Sequence, residues 1–347
     1  MDRNELDEVV SKILNSRHPN SEEALPLQST ITQLIENVQE IFKNEKSLLR
    51  INGEITIVGD IHGNVDDLIR ILQTCNYPPE QNFLFLGDYV DRGACSVEVL
   101  LLLFSLKVLY PQNIYILRGN HECEELTSIF GFKQECETKL STEIYEMFIN
   151  CFSYMPFAAV VNNSIFCVHG GITPELTTLE DIESLTRPML ISDSPISNGI
   201  LWSDPRMDIE DFKPNDRGAG CFFNAANLKS FLDSNNLSKL IRSHEYCQFG
   251  YEYPFGEEGN CITIFSNSDY CGINNYASVA IVTQDCSIEF KEFKPKGEEE
   301  YNKTRIDSPT WLLTSDSPKN SMIHPQFDLT EDQLFGIIQS LDFTLDF

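Results

Sequence analysis

The chain has 347 residues, 41% of them apolar, and a formal charge of −28 from 53 carboxylates against 25 lysines and arginines. That length and apolar share suit a globular core in one large domain or two small ones, and the charge repels nucleic acid and anionic membrane surfaces. The longest apolar run, Val99 to Phe104, falls far short of the roughly 20 residues that span a bilayer. The opening Met1-Asp2-Arg3-Asn4-Glu5-Leu6-Asp7 lacks the basic-then-apolar order of a secretory leader. Eleven cysteines at irregular spacing, with no Cys-x-x-Cys pair, read as reduced thiols. The expected setting is the cytoplasm, or the nucleus as well, with neither nucleic acid nor membrane as a partner.

In chain order, Leu6, Val9, Val10, Ile13 and Leu14 predict a short helix, followed by a polar linker from Asn15 to Pro26. A second helix is expected near Thr30, with Gln33 completing a capping box and Ile31, Leu34, Ile35, Val38, Ile41 and Phe42 as its apolar face. Three strand-like runs follow, Ile55–Val58, Phe83–Leu86 and Ile114–Leu117, with helices between them near 65–75 and 94–109. Glu122 to Phe152 reads as helical, on Leu126, Ile129, Phe130, Ile144, Met147, Phe148 and Ile149. Short strands are then expected at Ala158–Val161, Ile165–Val168, Lys239–Ile241, Cys261–Phe265 and Ser278–Val282. Helices followed by strands suggest a second sheet packed on the first. Gly297 to Gln326 reads as a linker and Thr330 to Phe343 as a short helix, with Thr330 and Gln333 as a capping box.

The three strand-like runs share an ending. The first leads into Gly59-Asp60-Ile61-His62-Gly63, the second into Gly87-Asp88-Tyr89-Val90-Asp91-Arg92-Gly93, and the third into Arg118-Gly119-Asn120-His121-Glu122. Asp60 to Asp88 is 28 residues and Asp88 to Asn120 is 32, close to the ~30 that a strand, crossover helix and returning strand require. Parallel sheets bind ligands outside the carboxyl ends of their strands, so these loops should converge. Two more histidines end strand-like runs, His169 before Gly170-Gly171 and His244 after Arg242-Ser243.

Ligand types then assemble a centre for two divalent ions. Asp60, His62 and Asp88 would hold one, and Asp88, Asn120, His169 and His244 the other, with Asp88 bridging. Mixed carboxylate and imidazole donors suit Mn²⁺, Fe or Zn²⁺. Two ions about 3.5–4 Å apart clamp an in-line displacement at phosphorus and lower the pKa of a shared water towards ~7. His121 follows a ligand but fits neither set; it is the natural general acid for a leaving alkoxide, oriented by Asp91. Arg92 and Arg217, each after an aspartate in a glycine-containing loop, would grip phosphoryl oxygens.

These motifs resemble the metallo-dependent serine/threonine protein phosphatases of the type 1, type 2A and calcineurin group. They are GDIHG at 59–63, GDYVDRG at 87–93, RGNHE at 118–122, HGG at 169–171, WSDP at 202–205, DRG at 216–218 and RSH at 242–244. The similarity runs from about Thr30 to about Phe293. It implies an α/β (α+β) fold with a central β-sandwich of two mixed sheets flanked by helices. It implies two divalent metal ions, Mn²⁺ in vitro and Fe or Zn natively. It implies one-step hydrolysis of phosphoserine and phosphothreonine by a water or hydroxide bridging the ions, without a phosphoenzyme. The resemblance also suggests phosphoprotein substrates, leaves regulatory subunits and subtype open, and adds Asn120 and Tyr270 to the phosphate-binding residues. The domains expected are an N-terminal extension at 1–29, a catalytic domain at 30–295, and a C-terminal linker and short helix at 296–347. A small-molecule phosphoesterase and an inactive adaptor are the competing readings.

Two departures carry expectations of their own. The loop that is Ser-Ala-Pro-Asn-Tyr in the resembled family is Ser266-Asn267-Ser268-Asp269-Tyr270 here. Losing proline should loosen its backbone, and Asp269 should add a negative charge near the phosphate. The tyrosine that commonly follows the catalytic histidine by nine positions is Phe130, so one hydroxyl donor is missing. Leu126 and Trp202 are expected to form the apolar wall of a groove.

Overall fold

The computed structural model describes residues 1–15 and 25–295. The N-terminal half comprises α1 (Arg3–Asn15), α2 (Gln28–Asn44), β1 (Leu48–Ile51), β2 (Ile55–Val58), α3 (Val65–Thr74), β3 (Phe83–Phe85), α4 (Ser96–Leu109) and β4 (Ile114–Ile116). Three helices follow, α5 (Glu124–Phe130), α6 (Phe132–Lys139) and α7 (Thr142–Phe152), and then β5 (Ala158–Val161), β6 (Ile165–Val168), α8 (Leu179–Glu183) and α9 (Pro195–Trp202). The remainder is β7 (Asp204–Pro205), β8 (Lys213–Pro214), β9 (Cys221–Phe223), α10 (Ala225–Ser234), β10 (Lys239–Arg242), β11 (Tyr251–Glu252), β12 (Cys261–Ile264), β13 (Ala277–Val282) and β14 (Ile288–Phe293). The linker and helix expected beyond residue 296 lie outside the described residues, as does most of the linker after α1.

Two mixed sheets form a sandwich. One has the order β14-β13-β2-β3-β4 and the other β1-β5-β6-β10-β12-β11. In the first, β2, β3 and β4 run parallel while β13 pairs antiparallel with β2. Side-chain alternation explains how both faces of so short a strand are filled. Leu84 points into the layer between the sheets, with Ile57, Ile241 and Ile264, while Phe83 and Phe85 point outward under the helices. A parallel strand covered on both faces reads as an unbroken apolar run, which is why these segments look alike in the sequence. A small sheet, β7-β9-β8, adjoins the site side of α9 and was not expected from the sequence; nor was β1, which pairs parallel with β5.

The helices cover the outer faces. α4 is apolar almost all round and buried along most of its length, as a central helix should be. Lys107, the buried cation near its end, donates to the Ile114 carbonyl at 2.7 Å and to Glu45 at 2.5 Å. The predicted N-terminal helix is present, and Leu6, Val9, Val10, Ile13 and Leu14 join the same core as α2 and α4. Val10→Ala is therefore expected to cost about 2 kcal/mol, read as a lower urea midpoint at constant m-value. A neutral result would mean that α1 does not contribute to the core.

One local expectation is corrected. The capping box at Thr30 and Gln33 does not form. Leu27 is extended (φ −59°, ψ 144°) and the helix begins directly after it, so Thr30 already lies in the first turn with its N–H on the Leu27 carbonyl. The apolar residues of α5 lie only partly in the core, against which Leu126 packs. Ile129 is 43% exposed and Leu126 and Phe130 are half-buried, because α5 borders the strand-end cleft.

Candidate metal centre

All the strand-end loops open on one side of the sandwich. They reach it through backbone that side chains rarely adopt: His62 (φ 43°), Asp88 (56°), Asp91 (71°), Arg92 (67°) and His244 (73°) are all left-handed. Such conformations persist only where surrounding contacts over-determine them, and they gather at functional sites. Here the contacts are visible. Glu122, fully buried, accepts the N–H groups of Asp88 (2.8 Å), Tyr89 (2.9 Å) and Gly119 (2.8 Å), tying the second loop to the third. Ser243 accepts the Asp60 N–H at 2.9 Å and donates to the Asp60 carboxylate, tying the first loop to the fifth.

Asp88 stands at the middle. Its Oδ2 lies 3.5 Å from His62 Nε2, and its Oδ1 lies 3.4 Å from His169 Nε2. Asp60 completes the first side, with Oδ2 at 3.6 Å from His62 Nε2. On the second side the Asn120 amide oxygen lies 2.8 Å from His169 Nε2, 3.0 Å from His244 Nδ1 and 3.2 Å from both Asp88 oxygens. With the amide turned over, the Asn120 NH2 group would donate to these same four atoms. Burial, with His121 close by, lowers His62 to about 3, and burial with Arg217 holds His244 well below its ordinary value. Both imidazoles are thus neutral, the form that lends a lone pair to a metal. The far nitrogens, His169 Nδ1 and His244 Nε2, are buried without hydrogen-bond partners and face Asp60 and Asp204 at 3.9 Å each. Two groups that share Asp88 bring their ligand atoms within 4.8 Å of one another, His62, Asp88 and His121 on one side and Asp88, His169 and His244 on the other, and such donors suit a dinuclear centre; the sequence pattern places Asp60 rather than His121 in the first.

The other predicted residues gather at the rim. His121 Nδ1 lies 2.6 Å from Asp91 Oδ2, while the other Asp91 oxygen accepts the Phe132 N–H at 2.9 Å, so the carboxylate cannot turn away. Burial opposes charge on His121, but Asp88 and Asp91 outweigh it and the pKa is raised. The Arg92 guanidinium lies over the Phe130 ring, 4.2 Å from its centroid, and the same ring packs 5.4 Å from His121. Arg217 donates from Nε to Asp204 at 2.8 Å, and Asp204 in turn is gripped by the fully buried Arg242. Trp202 stands edge-on to His244 with centroids 5.7 Å apart. Tyr270 stacks on His62, centroids 5.4 Å apart at 27°.

Asp269 is exposed, and its carboxylate accepts the Asn274 N–H at 2.9 Å within its own turn. In the same loop the Ser268 N–H donates to the buried Asp67 carboxylate at 2.5 Å. Glu122, Asp204, Ser243 and Asp67 received no role from the sequence. The first three lie inside the motifs and had that much signal; Asp67 had none.

A family model for calcineurin-like phosphoesterases matches residues 53–248. Among solved structures, a protein serine/threonine phosphatase from Saccharomyces cerevisiae with similarity to human phosphatase PP5 superposes with a TM-score of 0.73. The two chains are 29% identical, with 79% of this chain and 92% of that one covered. A cold-active protein-tyrosine phosphatase of a psychrophile Shewanella sp. shares the fold at 16% identity and a TM-score of 0.50, covering 72% of this chain and 84% of that one. The matched region contains every residue of the two ligand sets, and members of the family bind a dinuclear metal centre. The chain is a calcineurin-like phosphoesterase of the metallo-dependent phosphatase group.

Proposed function

We propose that the protein hydrolyses phosphoserine and phosphothreonine monoesters in phosphoproteins. The observation that carries this is the His121–Asp91 pair at 2.6 Å, set beside the Asp88-centred ligand sets and two arginines. An alkoxide is a poor leaving group and needs a proton, and this pair can deliver one. The match to the yeast serine/threonine phosphatase supports the substrate class.

Asp60, His62 and Asp88 would hold one cation, and Asp88, Asn120, His169 and His244 the other. When bound, the pair supplies Lewis acidity to the phosphoryl oxygens and makes water a competent nucleophile near neutral pH. Arg92 and Arg217 bind the phosphoryl oxygens, with Asn120 and Tyr270 as further polar contacts. His121 Nδ1 is committed to Asp91, so the proton passes from Nε2 to the departing serine or threonine oxygen. Asp91 fixes the ring and stabilises its charged form.

The test is Mn²⁺-dependent phosphate release from phosphothreonine and phosphotyrosine peptides and from a dinucleoside polyphosphate. Phosphothreonine peptides are expected to turn over with the highest kcat/KM. Preference for the dinucleotide would assign a small-molecule enzyme, and no turnover of any of them an inactive adaptor. Charge should tune the peptide preference. The chain carries 53 carboxylates against 25 basic residues and its candidate pocket holds two arginines, and such a field steers basic ligands inward. Peptides with basic flanks are expected to exceed acidic ones several-fold in kcat/KM at low salt. The ratio should approach one as the Debye length falls to about 3 Å at 1 M. A ratio independent of salt would leave the charge without a role in encounter.

A further inference from the structure

We propose that Asp67 is a positioning residue for this centre: its carboxylate holds the Ser268 N–H, and through it the loop that lays Tyr270 against His62. The kinetic part of the inference rests on the phosphatase reading; the structural part does not.

Asp67 belongs to the first turn of α3 and is 2% exposed. Its Oδ2 accepts from the Ser268 N–H at 2.5 Å and from Asn64 Nδ2 at 3.0 Å, and its Oδ1 accepts from Arg70 at 2.6 Å. Asn64 caps α3 by accepting the Asp67 N–H at 3.0 Å and also donates to the Asn267 side chain at 2.8 Å. Arg70 reaches the Ser268 hydroxyl at 3.3 Å and the Lys294 carbonyl at 2.8 Å. The start of α3 therefore grips residues 267 and 268 from beneath.

From there the loop passes the constraint along. Asn275 donates to the Asn267 carbonyl at 2.8 Å and accepts the Tyr270 N–H at 2.8 Å. Tyr270 is thereby held with one face on His62 and its ring 5.2 Å from Phe265. Proline, the residue at this position in the pattern the loop resembles, has no N–H to satisfy and restricts the backbone by itself. Serine brings a buried N–H that must find an acceptor. Asp67 is that acceptor, a charged one, and so restores the stiffness that proline would have supplied.

Hydrogen exchange of the full-length metal-free protein tests this without any substrate. Asp67→Ala is expected to speed amide exchange in 266–276 about tenfold or more and to leave α4 unchanged. Ser268→Pro in the same chain should restore most of the protection, since the N–H then needs no acceptor. Where the alanine variant does not fold, Asp67→Asn serves. One amide oxygen cannot satisfy both Arg70 and Ser268, so a several-fold speed-up reversed by Ser268→Pro is expected. An unchanged loop, a speed-up shared by α4, or no rescue by proline would overturn the assignment. On phosphothreonine peptides, Asp67→Ala should raise KM about five- to tenfold, more than it lowers kcat. It should change kcat/KM less than twofold once Tyr270 is alanine. Additive losses in that double variant would also overturn it. If the unaltered enzyme turns over no phosphopeptide, the phosphatase reading fails while the exchange result still decides the role of Asp67.

Discussion

Asp88→Asn and His121→Asn are expected to inactivate the enzyme in different ways. Asp88 presents one oxygen to His62 at 3.5 Å and the other to His169 at 3.4 Å, so its charge serves both ligand sets. Asparagine keeps the shape but offers one neutral oxygen and an amide that repels cations. Metal content and turnover should both be lost, measured by metal analysis after gel filtration and by phosphate release. His121 lies outside both proposed ligand sets and is bound instead to Asp91. His121→Asn should keep the metal content of the unaltered protein and lower kcat on a phosphothreonine peptide by about 10²–10⁴. On p-nitrophenyl phosphate, whose phenolate departs without a proton, the penalty should shrink markedly. Equal penalties on both substrates would remove His121 from the acid role, and lost metal would make it a ligand.

Gly87→Ala is expected to be strongly destabilising. Gly87 sits at φ +120°, and a Cβ there would lie 2.4 Å from the Gly119 Cα and 2.5 Å from the Gly119 nitrogen. Neither neighbour is a side chain that can swing away. Relief requires the second and third loops to part, which breaks the Glu122 bonds to the Asp88 and Gly119 N–H groups. A loss of about 3 kcal/mol or more is expected from backbone strain and overlap together, with metal binding lost as well. Gly256→Ala is the control: it shares a positive φ of +80°, but a Cβ there meets nothing within 4 Å. About 1 kcal/mol is expected for it. Urea midpoints of the two variants decide; if Gly87→Ala is no worse than the control, backbone contact between the loops is not what requires glycine.

The proposed ligands stood out in the sequence because each combines a metal-binding side chain with a position at or just after a strand end. Asp60, Asp88 and Asn120 follow buried strands whose apolar runs stand out, and a parallel sheet brings the carboxyl ends of its strands to one edge wherever the crossovers run. His169 and His244 end strands of the second sheet by the same rule. Helices with one apolar face were equally legible, α2 and α7 among them, since periodicity reports burial directly. Periodicity was less informative where burial is not one-sided. α5 carries apolar residues because it borders a cleft, and the apolar run of β1 is interrupted by the exposed Arg50.

The chain's residue types and spacing by themselves marked out the strand-end loops and the carboxylates and imidazoles they carry as candidate ligands and proton carriers. The tertiary structure alone decided how those groups are held and where the neighbouring charges point. Ser268 and Asp67 are 201 residues apart, and no local pattern in either segment anticipates their bond. Nor does composition show that Asp269 turns its carboxylate to the Asn274 N–H, five residues on. Ligand identity is a property of residue type and strand position, which are local. Orientation and loop stiffness come from partners that meet only when the two sheets close on each other.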